Sequence, residues 1–470
     1  MYRRLLLSTL FCLLAVAGRL PAAPPEPVEG DLFEQNDEGR EAEAPPAPRR
    51  KGDNAPKSPP IIYDGSGDAS GDVLMEGEGY SDGCGMDGGC CDGCGDCGEC
   101  CDDCCGCGGC GGCGWYVRQE ALSWWVRGQR LPPLVTTGPS TAQPPFAGAF
   151  PDATVLVPTE RINGDGRVGG RLTIGCSADC CSGFDGNFFV LENQSFLTDV
   201  GSDAQQVIAR PFFNEAFGGQ SQALPVALPG LLSGTVAIRS SNSVMGGEAN
   251  WRHACIDMCC RRVDFIAGYR FLRFDEDLHI DQLSATVVTQ PNLPANTILT
   301  FSDLFGTENE FHGGQLGVAI NLKRSCCWSL DLMAKCALGG MRQRVSISGS
   351  RTITAPTLGT LEFPDGGVLA LGTNIGDYER TKFSAVPQFD LTLTRQLNCC
   401  WKFTCGYTFL YASNVVRPGD QIDTGPGGIP FINSNEFPPR IGPAGTRPRF
   451  AFNDSDVWMQ GINLGLECAF

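Results

Sequence analysis

At 470 residues, with 61 Gly, 32 Pro and only 19% charged residues, the chain has the composition of strands, turns and loops. A net charge of -18 without any Lys/Arg run argues against a nucleic-acid partner. Three His leave little for acid–base chemistry, so neither an enzyme nor a cofactor is expected.

In chain order, residues 1–23 carry Arg3 and Arg4, then an apolar run at 5–16 too short to span a bilayer, with Ala15 and Ala17 as small residues for cleavage. This reads as a secretory signal peptide. Residues 24–82 are rich in Pro and acidic residues and poor in apolar ones, and read as a disordered linker. Residues 83–114 form a Gly/Cys/Asp tract. In an exported chain its share of the 26 Cys points to disulfides. Cys94, Cys97, Cys100 and Cys104 have the spacing of an iron–sulfur run, but Cys105 stands where Pro is expected and the compartment is oxidising, so no cluster or other metal is assigned.

From residue 115 onward apolar residues alternate with polar ones. In "GRVGGRLTIGC" Val168, Leu172 and Ile174 oppose Arg167, Arg171 and Thr173. The same pattern returns in "FHGGQLGVAINLK", "WSLDLMAKCALGG", "AVPQFDLTLT" and "WKFTCGYTFLY". It is weaker near 184–192, 244–252 and 262–274, and weakest in "WYVRQEALSWWVRG". In the last strand Ile462, Leu464, Leu466 and Phe470 form one apolar face, read as a C-terminal insertion signal for the barrel-insertion machinery. Short Cys-bearing turns join paired strands, and long polar stretches join successive pairs. That layout predicts an all-β, antiparallel, up-and-down transmembrane barrel over 115–470, with about ten strands, or twelve or more should the long loops hide others.

The inward positions are then Arg167, Arg171, Asp185, Glu248, Arg252, Asp264, Arg270, Lys323, Asp331, Lys335, Asp390, Lys402 and Glu467, of both signs. Ten strands with such a lining predict ion-paired cross-bracing and at most a narrow pore. The turns place Cys176, Cys180, Cys181, Cys255, Cys259, Cys260, Cys326, Cys327, Cys399 and Cys400 on one rim with the tract, as candidate disulfides. "INGDGR" at 162–167 lacks the acidic first and last positions of a calcium loop and is set aside. "FDEDLHID" at 274–281 reads as the top of a hairpin.

"EALSWWVRGQRLPPLVTTGP" and "GDGRVGGRLTIG" resemble stretches of the planctomycete putative beta-barrel porin family. The resemblance implies an outer-membrane barrel and carries over no catalytic residue; the Cys doublets and tract depart from it. The expected function is an envelope structural protein or narrow passive-diffusion porin in the outer membrane, exported by its signal peptide. Its partners are expected to be outer-membrane lipid and, through disulfides, itself or other envelope proteins. The alternatives are an outer-rim protease of omptin type and a soluble secreted β-sandwich.

Overall fold

Ten antiparallel strands close into a ring in the computed structural model. It describes residues 114–470 apart from 179–180, 218, 259–260, 291–292, 326, 357–358, 399 and 434–444. The expected signal peptide, linker and Cys tract, together with Cys180, Cys259, Cys260, Cys326 and Cys399, lie outside the described residues. The strands are β1 (Trp115–Val126), β2 (Gly166–Ser177), β3 (Ser182–Ser202), β4 (Leu232–Met258), β5 (Arg261–Thr286), β6 (Ile298–Ser325), β7 (Trp328–Ala355), β8 (Gly376–Gln396), β9 (Trp401–Val416) and β10 (Asp454–Ala469). Each pairs with its chain neighbours, and β10 pairs with β1 to close the ring.

The outward face locates the bilayer. On β9 it runs through Trp401, Phe403, Cys405, Tyr407, Phe409 and Tyr411, most of them exposed. Those ten residue steps at about 3.4 Å, tilted about 45°, rise about 24 Å, which matches an apolar band of about 25 Å. Outward Leu316 and Val318 on β6, Leu338 on β7, Phe383 and Leu391 on β8, and Ile462, Leu464 and Leu466 on β10 extend the band around the ring.

Sidedness then reverses along the tall strands. Above the band, outward positions turn charged: Arg273 pairs with Asp275 at 2.7 Å, Arg344 with Glu308 at 3.5 Å, and Arg342 with Glu379 at 2.7 Å. At the same height the inward positions turn apolar: Val236 and Ile238, Leu278 and Ile280, Phe301 and Phe305, Val345 and Ile347. Each strand keeps its period of two while the polar set changes sides. "FDEDLHID" therefore lies within β5, paired with β6 from Phe274↔Asn309 to Asp281↔Ser302, and is not a hairpin top. Charges on the outer wall above the lipid are solvated, so a strand tolerates them there.

The long connections were read as polar outer loops, and they fold inward instead. Segments Val135–Thr137, Thr154–Val157, Ile208–Asn214, Gln220–Ala227 and Phe431–Ile432 make a second, five-stranded sheet. Its Val135, Val157, Ile208 and Val226, joined by 368–371 from the β7–β8 connection, bury against the inner wall. The loops do hide strands: five build the cap, and Gly359–Phe363 pairs with the top of β7, leaving the ring at ten.

Wall height is uneven. β1 and β2 have 12 residues each, β9 and β10 have 16, whereas β4 to β7 have 26 to 28. Pairing of β2 with β3 ends at Gly169↔Leu191, so β3 rises past it with no neighbour on that side. A notch remains above β9, β10, β1 and β2, and the cap and its loops occupy it.

Candidate functional site: the stratified lumen

Inward residues stack in four strata from the Cys rim upward, each fixed by strand register. The lowest is charged. Glu248 accepts from Lys335 Nζ at 2.5 Å, Asn187 Nδ2 at 2.6 Å, Gln315 Nε2 at 3.0 Å and Arg270. Arg171 donates twice to Glu120, at 2.6 and 2.8 Å, and stands 3.9 Å from Asp390. Glu467 joins Arg118 and Lys402, both at 2.8 Å. Asp185 takes Arg252 and, at 3.0 Å, Asn250. Asp390 also accepts from Thr408 at 2.6 Å and Gln388 at 2.7 Å. Asp331 is held by Asn321 and by Thr394 at 3.2 Å, and Asp264 by Arg262 at 2.8 Å. Multiple partners per carboxylate are what keeps charges tolerable away from bulk water.

An apolar stratum crosses the lumen next: Leu122, Trp124, Phe189, Leu272, Phe274, Phe311, Met341, Leu410 and Met459 are all buried together. Trp124 and Phe189 rings meet at 5.3 Å, and Trp124 Nε1 donates to Asn463 at 2.7 Å. The space between these two strata, bounded by Arg171, Glu248, Arg270 and Trp124, is about 10 Å³, room for about one water.

The third stratum is polar. Arg417 donates to both Glu276 oxygens at 2.7 Å, and Arg167 donates to Asn242 at 2.5 Å and Gln194 at 2.7 Å. Asn309 trades two 2.8 Å bonds with the backbone of Val416. The fourth is the cap, pinned by Asp303. Its Oδ1 accepts from the backbone N–H of Val368, Leu369 and Ala370 at 2.8–2.9 Å, and its Oδ2 from Arg210 at 2.6 Å.

Of the expected inward residues, Arg171, Asp185, Glu248, Arg252, Asp264, Arg270, Asp331, Lys335, Asp390, Lys402 and Glu467 share the lowest stratum, whereas Arg167 sits two strata higher. The Lys323 side chain lies outside the described ones; its backbone pairs with Ser329. Sequence reading missed Arg118, Glu120, Arg417, Arg210 and Asp303, and placed Glu276 on the outer rim, whereas it points inward to Arg417. Only Arg118 and Glu120 had a signal, their i, i+2 spacing in β1, and the apolar stratum above masked it. On the outer wall His312 meets Glu310 at 2.7 Å, and Asp275, Asp277, His279 and Asp281 likewise project outward from β5. Of the residues considered for a rim protease, these lie on the outer wall, whereas Glu276 points inward to Arg417.

At the lower rim, Cys176, Cys255, Cys400 and Cys468 carry free thiols, and Cys327 is disulfide-bonded. Cys181 sits in the β2–β3 turn, its carbonyl accepting from Ala254 N at 2.7 Å. Cys336 and Cys405 face outward in the lipid band, as small apolar side chains do.

No curated protein matches the sequence. Among solved structures, the outer membrane protease OmpT of Escherichia coli aligns over 76% of this chain and 97% of its own, at 7% identity and a TM-score of 0.34. OmpT of Vibrio cholerae covers 76% and 97% at 6% identity, and a Pseudomonas aeruginosa FadL homologue 76% and 89% at 6%, each with a TM-score of 0.17. The family model described as "Putative beta barrel porin-7" matches residues 116–470, and the chain belongs to that family of outer-membrane barrels.

Proposed function

We propose that this outer-membrane barrel is an envelope structural protein whose resting state does not conduct, rather than an open porin or an enzyme. The apolar stratum around Trp124, Phe189 and Phe311 carries this reading. An ion crossing it would shed water against hydrocarbon side chains, a cost of several kcal/mol at least. Planar-bilayer recording in molar KCl is expected to give no resolved steps. Regular porin-sized openings in the unmodified protein would overturn the proposal.

A second element of the reading concerns the Cys rim. Both described ends of the ring and all the short turns share one side, which in this barrel class faces the periplasm. The free thiols of Cys176, Cys255, Cys400 and Cys468 support cross-linking to the tract at 84–113 or to another envelope protein. Outer-membrane lipid on the apolar band, and insertion machinery reading Ile462, Leu464, Leu466 and Phe470, complete the proposed partners. Non-reducing gels of the full chain and of a chain lacking 84–113 test the cross-link. Reductant-sensitive species in the former alone are expected, and an identical monomer band in both would remove the intermolecular form.

A further inference from the structure

A cleft of about 720 Å³ opens in the notch, between the top of β1 and β10, the upper edge of β3, and the loop at 156–165. Its volume falls within the range of about 300–1,000 Å³ typical of small-molecule sites. One wall is apolar, made by Leu156, Val157, Phe196 and Trp458. Arg127 and Arg161 form the other, and among the described residues neither has a carboxylate in ion-pair range. Arg127 donates to the Asp456 carbonyl and Arg161 to the Gly128 carbonyl, both at 3.1 Å. Unlike the ion-paired cations of the lowest stratum, these two guanidiniums have only backbone carbonyls as hydrogen-bond acceptors among the described residues.

Two carboxylates also border the cleft. Glu160 and Asp165 are exposed at its edge, and Asp165 accepts from Gln194 at 3.3 Å. The Arg161 pKa is depressed, by burial first and then by Arg127, Arg130 and Arg417, with Asp420 opposing them. At the floor, buried Asn163 donates to Ser240 at 2.9 Å and leaves its side-chain carbonyl oxygen without a protein partner.

We infer that this cleft binds an amphiphile with a phosphate head and an apolar body, the head on Arg127 and Arg161 and the body along Phe196 and Trp458. Guanidiniums fit phosphate oxygens in pairs. Asn163 offers an acceptor to a hydroxyl next to the head. The cleft opens where Trp458 and Trp125 mark the top of the lipid band, so such a molecule can enter with its chain toward hydrocarbon.

Titration calorimetry of the intact protein in a nonionic detergent tests this with three probes: decyl phosphate, inorganic phosphate and decyl maltoside. Saturable binding of decyl phosphate is expected, with inorganic phosphate much weaker and decyl maltoside silent. Arg127→Ala with Arg161→Ala should weaken decyl phosphate about tenfold or more. Thr198→Trp, which narrows the cleft and leaves both Arg in the chain, should also weaken it, with heat-modifiable migration confirming that both variants fold. Inorganic phosphate binding as tightly as decyl phosphate would overturn the amphiphile and leave a free-anion site. Decyl phosphate binding that is absent, or unchanged in both variants, would overturn the site.

Discussion

Glu248 shows how single residues hold this barrel together: one buried carboxylate serves Lys335, Arg270, Asn187 and Gln315. Glu248→Ala strands two buried cations, and is expected to cost about 3–5 kcal/mol in urea unfolding of the detergent-folded protein. Gly461 matters for a different reason. A Cβ there would lie 2.2 Å from Ser123 O and 2.6 Å from the Trp124 ring, so Gly461→Ala should cost about 1–3 kcal/mol by the same assay. Glu215 anchors Thr446, accepting from its backbone N–H at 2.8 Å and from its hydroxyl. Burial raises its pKa, but the Thr446 and Arg447 bonds outweigh that and hold it below the ordinary 4.5. A depressed carboxylate stabilises above its unfolded value, so docking of residues 445–447 is full above about pH 4.5 and is lost as pH falls through the folded value. The hydrogen-exchange protection factor of the Thr446 amide, corrected for the intrinsic pH dependence of exchange, should fall in that acid window and stay constant between pH 6 and 8. From sequence the charges facing inward were legible by alternation, but not who pairs with whom. Pairing depends on which strands become neighbours and in what register, as in Arg118 and Glu467, which lie directly opposite each other on β1 and β10.

For a whole strand, the reversal of sidedness decides what was readable. The lower half of β6 alternates strongly because Leu316, Val318 and Ile320 meet lipid, while its upper half buries Phe301 and Phe305 on the other face. A reader expecting one oily side takes the two halves as strand and loop, and "FDEDLHID" was misplaced for that reason. β1 was obscure because its inward Leu122 and Trp124 belong to the apolar stratum while Trp125 faces out. The reversal makes a paired prediction. Leu464→Arg, in the lipid band, should cost about 2–4 kcal/mol, whereas Ser348→Arg, outward on upper β7, should stay within about 0.5 kcal/mol. The cap hangs on Asp303 in the same sense. Asp303→Ala leaves Arg210 and three backbone N–H groups without their acceptor, and faster proteolysis of 360–375 with an intact barrel core is expected.

For the molecule as a whole, the ring of ten was legible because short turns and long connections alternate, and turn residues announce themselves locally. The cap was not, since its strands run only 2 to 8 residues and its core comes from four distant tall strands. No local periodicity can encode a sheet whose hydrophobic partner lies elsewhere. The uneven wall then has a functional meaning: among the described residues, the low side is where loops rather than tall strands border the lumen's filling.

The charged collar of Arg273, Asp275, Glu308, Arg342, Arg344 and Glu379 also acts as a depth gauge. A sink of one strand repeat, about 7 Å, would drag it into acyl chains, and an equal rise would lift Leu338, Phe383 and Phe389, at the upper end of the band, into water. The protein thus seats at one height in its bilayer without needing any partner to hold it there.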